Sequence, residues 1–312
     1  MADRHTEHLR LQVIASTAPW GFDIAMTNNP KPSSHIDIET SRLGYRVCGD
    51  GPDLLFVHGW PLNRETWRDV AAALPDFRCH LIDLPGCGQS ITPASEVVSL
   101  ERHIDAVVAA IEKLGLDSVT LVGQDSGGLI ARNVASRLPE VVNGLVLCGT
   151  EIPGEHPEFI DRLQVMMKVP GAKAATRTLL GNRKAARSPQ LLGGCFWDRD
   201  LIEGGFRTEV LAPTLDDAAI FDRQIELLAT YKHEIVDALV DVHRKIDCPT
   251  LLVWGDRDPF FPVEKARGML DQFGGPVSFE VIPEARLLAY EEHPERFASL
   301  TRAFLKEHRV AA

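Results

Sequence analysis

The chain has 312 residues, of which 45% are hydrophobic and 25% charged, the balance of an ordinary globular domain. Its formal net charge of -11 argues against a nucleic-acid partner and leaves no basic patch for an anionic membrane surface. The six cysteines, Cys48, Cys79, Cys87, Cys148, Cys195 and Cys248, include no C-x-x-C pair, so neither zinc nor a redox motif is indicated. They fit the reduced thiols of a cytoplasmic protein.

Residues 1–34 read as an N-terminal extension that ends in Asn28-Asn29-Pro30-Lys31-Pro32, with no basic start leading into a long apolar run, so no secretory signal is expected. No stretch approaches the roughly 18 uninterrupted apolar residues of a membrane span. Leu54-Leu55-Phe56-Val57 reads as a buried strand ending at His58-Gly59. Helical spacing follows over 64–74, then a strand over 79–83 stopped by Pro85-Gly86. Residues 100–114 carry apolar side chains at Ile104, Val107, Val108, Ile111 and Leu114, the stripe of an amphipathic helix. A strand over 118–122, a helix over 127–137 and a strand over 142–148 come next. Such alternation predicts βαβ units and a parallel sheet covered on both faces. From 151 to 247 the pattern changes to helices and loops, with helical pieces at 163–169, 221–228 and 235–242. Strands return at 250–254 and 277–281, before a helix around 296–308. The expected architecture is an α/β core made of residues 35–150 and 248–312, with a mostly parallel, doubly wound sheet, interrupted by a helical cap at 151–247.

The chemistry centres on Val122-Gly123-Gln124-Asp125-Ser126-Gly127-Gly128, which follows a strand and opens a helix. Glycines two residues either side of a central position permit a sharp turn that projects that side chain from the top of a sheet. In this G-x-x-x-G frame the central residue is Asp125. Ser126 is off frame and offers only its backbone N–H. The ordinary alternative for Asp125 is a turn-forming aspartate.

Three further motifs sit on the right elements in the right order: His58-Gly59-Trp60-Pro61, Asp83-Leu84-Pro85-Gly86-Cys87-Gly88-Gln89-Ser90, and Trp254-Gly255-Asp256-Arg257-Asp258-Pro259. Together with the elbow they resemble the α/β-hydrolases over roughly residues 36 to 312. An aspartate at the elbow resembles the branch containing epoxide hydrolases and haloalkane and haloacetate dehalogenases. That resemblance implies a carboxylate attacking carbon to form an alkyl ester, which histidine-activated water then cleaves. It also implies an oxyanion hole from the N–H groups of Trp60 and Ser126, and Asp258 as the acid that orients the histidine, with Glu151 as the alternative acid. His58 of the oxyanion loop and Tyr231 of the cap are the expected substrate-binding residues. The implied substrate is a small apolar organic molecule. No cofactor or metal is expected, and a homodimer is left open.

The departure concerns the base. The family's histidine lies some seven residues before the proline of an E-x-P sequence, and counting back from Pro294 lands on Leu287. No histidine occurs between Val281 and Glu292. His293 precedes a proline at a helix start, His233 lies in the cap with potential access to a cleft, and His243 has no motif support. Either a histidine comes from elsewhere, or this is a variant whose base has been removed, or the protein has left two-step hydrolysis. The halide-cradling tryptophan after the nucleophile and the asparagine of the H-G-x-P loop, usual in haloalkane dehalogenases, are here Ser126 and Trp60. H-G-W-P matches epoxide hydrolases, whose cap tyrosines donate to the epoxide oxygen, and Tyr231 is the cap's one tyrosine. A ligand-binding or inactive member of the fold is the non-enzymatic alternative. An ordinary esterase is disfavoured, because an aspartate attacking an ester would give an anhydride.

Overall fold

The computed structural model describes residues 34–310, so the extension expected over 1–34 lies outside the described residues except for Ser34. Eight strands form one sheet: β1 (Ser34–Asp37), β2 (Arg42–Cys48), β3 (Asp53–Val57), β4 (Arg78–Ile82), β5 (Val119–Gln124), β6 (Val142–Cys148), β7 (Thr250–Gly255) and β8 (Val277–Ile282). Their spatial order is β1-β2-β4-β3-β5-β6-β7-β8. The six strands from β4 to β8 run parallel, while β1 and β2 form an antiparallel hairpin that pairs with β4 at one edge. That hairpin was not anticipated from the sequence, because β1 is too short to show a period.

Helices cover both faces, and the alternation along each central strand shows why. Leu55, Val57, Leu121, Leu145, Leu147, Leu252 and Trp254 point into one core, which they share with α2 (Leu100–Leu114) and α3 (Ser126–Arg137). Leu54, Phe56, Val122, Val146, Leu251 and Val253 point into the other. There they meet α1 (Arg68–Ala72) and, at the end of the chain, α13 (Pro294–Glu307). Ser99 caps the start of α2 by accepting the Arg102 N–H at 3.3 Å, and Gly115, at φ 65°, ends it.

Between β6 and β7 the chain forms helices and turns: α4 (Glu158–Met167), α5 (Ala172–Gly181), α6 (Arg183–Ala186), α7 (Ala212–Asp216), α8 (Ala218–Thr230), α9 (His233–Asp237) and α10 (Leu239–His243). After β7 come α11 (Val263–Arg267) and α12 (Ala289–Glu292). No helix among the described residues is long and apolar enough to cross a membrane.

The loops that leave β3 and β4 are clamped together by one buried ion pair, Arg64 with Asp83. Asp83 Oδ1 also accepts the Arg64 N–H at 2.8 Å, and its Oδ2 accepts the Gln89 N–H at 2.8 Å. Ser90 Oγ donates to the Asp83 carbonyl at 2.7 Å. Gly44 and Gly88 pack so closely on the carboxylate that a Cβ at either position would collide with it. Breaking such a pair from one side costs more than the pair contributes, because a desolvated charge is left behind. Asp83→Ala is therefore expected to lower unfolding stability by about 3–5 kcal/mol in urea titrations; a loss under about 1 kcal/mol would show that the clamp is not structural.

Candidate active site

At the end of β5 the backbone turns sharply into α3, and Asp125 occupies the turn with φ 50° and ψ -135°. A side chain rarely adopts that conformation, and its neighbours enforce it. A Cβ on Gly123 would lie 2.6 Å from the Gly127 carbonyl oxygen, and one on Gly59 would lie 2.6 Å from the Asp125 Cβ. Asp125 N–H donates to the Gly149 carbonyl at 2.9 Å, and the Asp125 carbonyl accepts the Gly128 N–H at 2.8 Å.

The carboxylate faces a cavity of about 410 Å³. Its floor includes Trp60, Asp125, Ser126, Glu151 and Leu287, and its roof comes from the helical insertion, with Leu163, Met167, Phe221, Ile225, Leu228 and Tyr231. Trp60 N–H is shared between Asp125 Oδ2 at 3.1 Å and Ser126 Oγ at 3.0 Å. The Ser126 N–H also bonds to the Asp125 carboxylate. Trp60 Nε1 donates to the Gln224 carbonyl at 2.9 Å, and Gln224 Nε2 to the Gly86 carbonyl at 2.8 Å, which ties α8 to both loops beneath it.

Burial pushes the Asp125 carboxyl up to about 8, and the nearby charge of Glu151 adds to the rise. The Ser126 and Trp60 N–H groups oppose it, and Asp258 raises it further. Asp258 is pushed up to about 7 by burial, against the N–H groups of Phe261 and Phe260. Those N–H groups reach its Oδ1 at 3.0 and 2.8 Å, while Oδ2 is buried with no partner among the described residues. Leu287 is its neighbour: a Cβ on Gly149 would lie 3.2 Å from both Asp258 Oδ2 and Leu287 Cδ1. Glu151 is also raised by burial, against the opposing charge of Arg132.

The structure thus brings Trp60, Asp125, Ser126, Glu151, Tyr231 and Leu287 to one cavity, while Asp258 lies near Leu287 but does not line it. Tyr231 is half-buried and its hydroxyl bonds to no described residue; burial and the charges of Glu151 and Asp125 hold the phenol above its usual range. His58 is the exception among the expected substrate contacts. Its Nδ1 donates to the Gly59 carbonyl at 3.0 Å and its Nε2 accepts the Leu84 N–H at 3.1 Å, so the ring is spent on fixing its own loop and does not line the cavity. Burial pushes it down to about 4, so it stays neutral.

No histidine among the described residues lines the cavity. His233 was expected to have potential access to a cleft; instead its Nε2 pairs with Asp161 at 2.9 Å and its ring stacks on His156. His293 Nε2 sits 3.4 Å from the Glu284 carbonyl, and His243 lies buried between Arg132 and Gln272. Arg132 and Thr150 escaped the sequence reading. Arg132 donates to the Glu151 carbonyl at 2.9 Å and to Thr150 Oγ1 at 2.7 Å. A charged side chain on the otherwise apolar face of α3 was the available signal.

Residues 52–294 match the alpha/beta hydrolase fold family. The chain belongs to it. Among curated α/β-hydrolases it is similar to the pimeloyl-[acyl-carrier protein] methyl ester esterase of Serratia marcescens, 25% identical over 85% of this chain and 99% of the relative. The enzyme of the same name from Yersinia pseudotuberculosis is 28% identical, over 86% and 99%. Among solved α/β-hydrolase structures, the epoxide hydrolase CorEH has a TM-score of 0.73 at 20% identity, covering 88% of this chain and 98% of that one. The haloalkane dehalogenase DbeA from Bradyrhizobium elkani has a TM-score of 0.70 at 22% identity, covering 90% and 99%. These two likenesses speak to the fold.

The raised affinity of Asp125 for its proton has a consequence for stability. A carboxyl that holds its proton more tightly when folded stabilises the protein at low pH and loses that contribution as pH rises through the folded value. Asp125→Asn removes this titration and keeps an acceptor for the two N–H groups. Its stability relative to the unmodified protein is expected to increase from pH 5 to about 8 and then level off, read from thermal or urea unfolding across that range. A pH-independent difference would contradict the placement of the charge.

Proposed function

We propose that this α/β-hydrolase-fold protein is an epoxide hydrolase-like enzyme in which the Asp125 carboxylate attacks an epoxide carbon of a small apolar substrate. The observation that carries the reading is a carboxylate at the elbow, aimed into an apolar cavity and held by two backbone N–H groups. Asp125 Oδ1 or Oδ2 forms the new C–O bond, the epoxide C–O bond breaks, and the Tyr231 hydroxyl gives its proton to the departing oxygen. The remaining oxygen of the Asp125 ester stays beside the Trp60 and Ser126 N–H groups, where it becomes the oxyanion when water attacks. Residues 151–247 act as the cap that supplies Tyr231 and the apolar roof.

Two observations separate this from the neighbouring chemistries. The Trp60 indole N–H is already bonded to Gln224, so it is not available to cradle a halide as dehalogenation requires. The curated relatives are named as methyl ester esterases, but a carboxylate attacking an ester carbonyl leaves an anhydride. Leu287 replaces the usual base and cannot accept a proton, so the second step is the slow one. A family member that only binds ligand is the outcome if no ester forms.

Mixing the protein with styrene oxide and quenching at short times is expected to show an intact-mass increase of one substrate on Asp125, absent in Asp125→Asn. A burst of ring opening precedes slow steady turnover. The burst rate rises with pH through about 8, because only the ionised carboxylate attacks. Leu287→His, beside the orphaned Asp258 Oδ2, is expected to speed ester cleavage by about a hundred- to ten-thousand-fold and ester formation far less. Fast turnover from the first cycle with no adduct overturns the reading.

A further inference from the structure

If Asp125 forms an ester, something must take a proton from the water that cleaves it. No histidine among the described residues lines the cavity, and Asp258 is not among the residues that line it. Among the cavity-lining carboxylates, Asp125 is the nucleophile itself, and the other is Glu151. Glu151 lies just beyond the end of β6, the strand beside β5. Thr150 Oγ1 is 2.8 Å from the Asp125 carbonyl oxygen and 2.8 Å from Glu151 Oε2, so the base-bearing carboxylate is within two hydrogen-bond lengths of the nucleophile's backbone. Arg132 fixes this arrangement from below, with its Nη2 3.7 Å from Glu151 Oε2. Glu151 lines the cavity beside Asp125, within reach of a water there.

We infer that Glu151 is the general base of ester cleavage in this protein, taking the place that a histidine holds in other members of the fold. The inference rests on the Asp125 ester proposed above. Glu151 Oε1 removes a proton from water as the water oxygen bonds to Asp125 Cγ. The carbonyl electron pair moves onto the oxygen held by the Trp60 and Ser126 N–H groups. Collapse of the tetrahedral centre breaks the Cγ–O bond to the substrate, whose oxygen leaves with the proton from Glu151. The second water proton, released as Asp125 ionises, restores the Tyr231 hydroxyl. Atoms balance as one epoxide plus one water giving one diol. Burial raises the proton affinity of Glu151, which makes it a better base than a solvated carboxylate.

The test follows the Asp125 adduct of styrene oxide, formed and then chased, in the unmodified protein, in Glu151→Gln and in Glu151→Asp. Folding of each is checked by thermal unfolding. Glu151→Gln is expected to slow adduct decay by about a hundredfold, to abolish the rise of decay rate as pH increases above the usual carboxylate range, and to speed ester formation or leave it unslowed, since a negative neighbour of Asp125 has been removed. Glu151→Asp, which keeps a carboxylate set back by one methylene, retains the pH dependence at a reduced rate and serves where Gln disturbs the Arg132 network. An adduct that decays in both variants at the unmodified rate overturns the assignment of Glu151 while leaving the Asp125 ester standing. Absence of any adduct in the unmodified protein at short quench times overturns the ester reading itself and this inference with it.

Discussion

The Asp125 carboxyl is buried at the floor of an apolar cavity with two backbone N–H groups as its direct donors. Much of the surrounding structure follows from that constraint. The strained turn is available because Gly59, Gly123 and Gly127 let three backbone segments approach within distances no side chain would tolerate. The Trp60 N–H is in place because the loop after β3 is locked, through His58 to Leu84 on one side and through Arg64 to Asp83 on the other. The roof is registered on the floor by Trp60 and Gln224, which each bond across the boundary.

The electrostatics distinguish this site from the arrangement its family resemblance implies. Burial and the neighbouring charges of Glu151 and Asp258 raise the cost of ionising Asp125, and Arg132 pairs with Glu151 and not with Asp125. In the implied arrangement an imidazole would lie against Asp258 and carry positive charge during turnover. Leu287 contributes none, so Asp258 Oδ2 is left buried with no bond to the described residues. A buried carboxylate oxygen without a donor costs stability. In the proposed mechanism this is the place a histidine would fill, beside the Trp60 and Ser126 N–H groups that hold Asp125.

The sequence carried the architecture wherever a strong local period existed. The strands β3, β5, β6 and β7 are runs of apolar residues buried on both faces, and α2 shows a clear stripe, so their limits were readable within a residue or two. The elbow was readable because only glycine can stand at positions 123 and 127. Leu287 was found by counting, since the spacing to Pro294 is set by a short loop. What remained hidden depends on side-chain direction. Glu151 read as the alternative acid, yet only the turn after β6 shows that it lines the cavity. His58 read as a site residue, yet both its nitrogens turn to backbone. His233 was in the right segment, but Asp161 and His156 hold it outward. The hairpin of β1 and β2 was missed because β1 is too short to show a period and both strands are partly exposed.

The claim that Asp125 attacks carbon, and does not merely activate water, is tested most directly by a single turnover of styrene oxide in oxygen-18 water with protein in excess. Attack by Asp125 transfers one of its own oxygens to the diol. The first-turnover diol is then unlabelled, and the peptide carrying Asp125 gains one heavy oxygen when its ester is cleaved at Cγ. Label in the diol with none in that peptide would mean that water attacks the substrate directly, and would contradict the account.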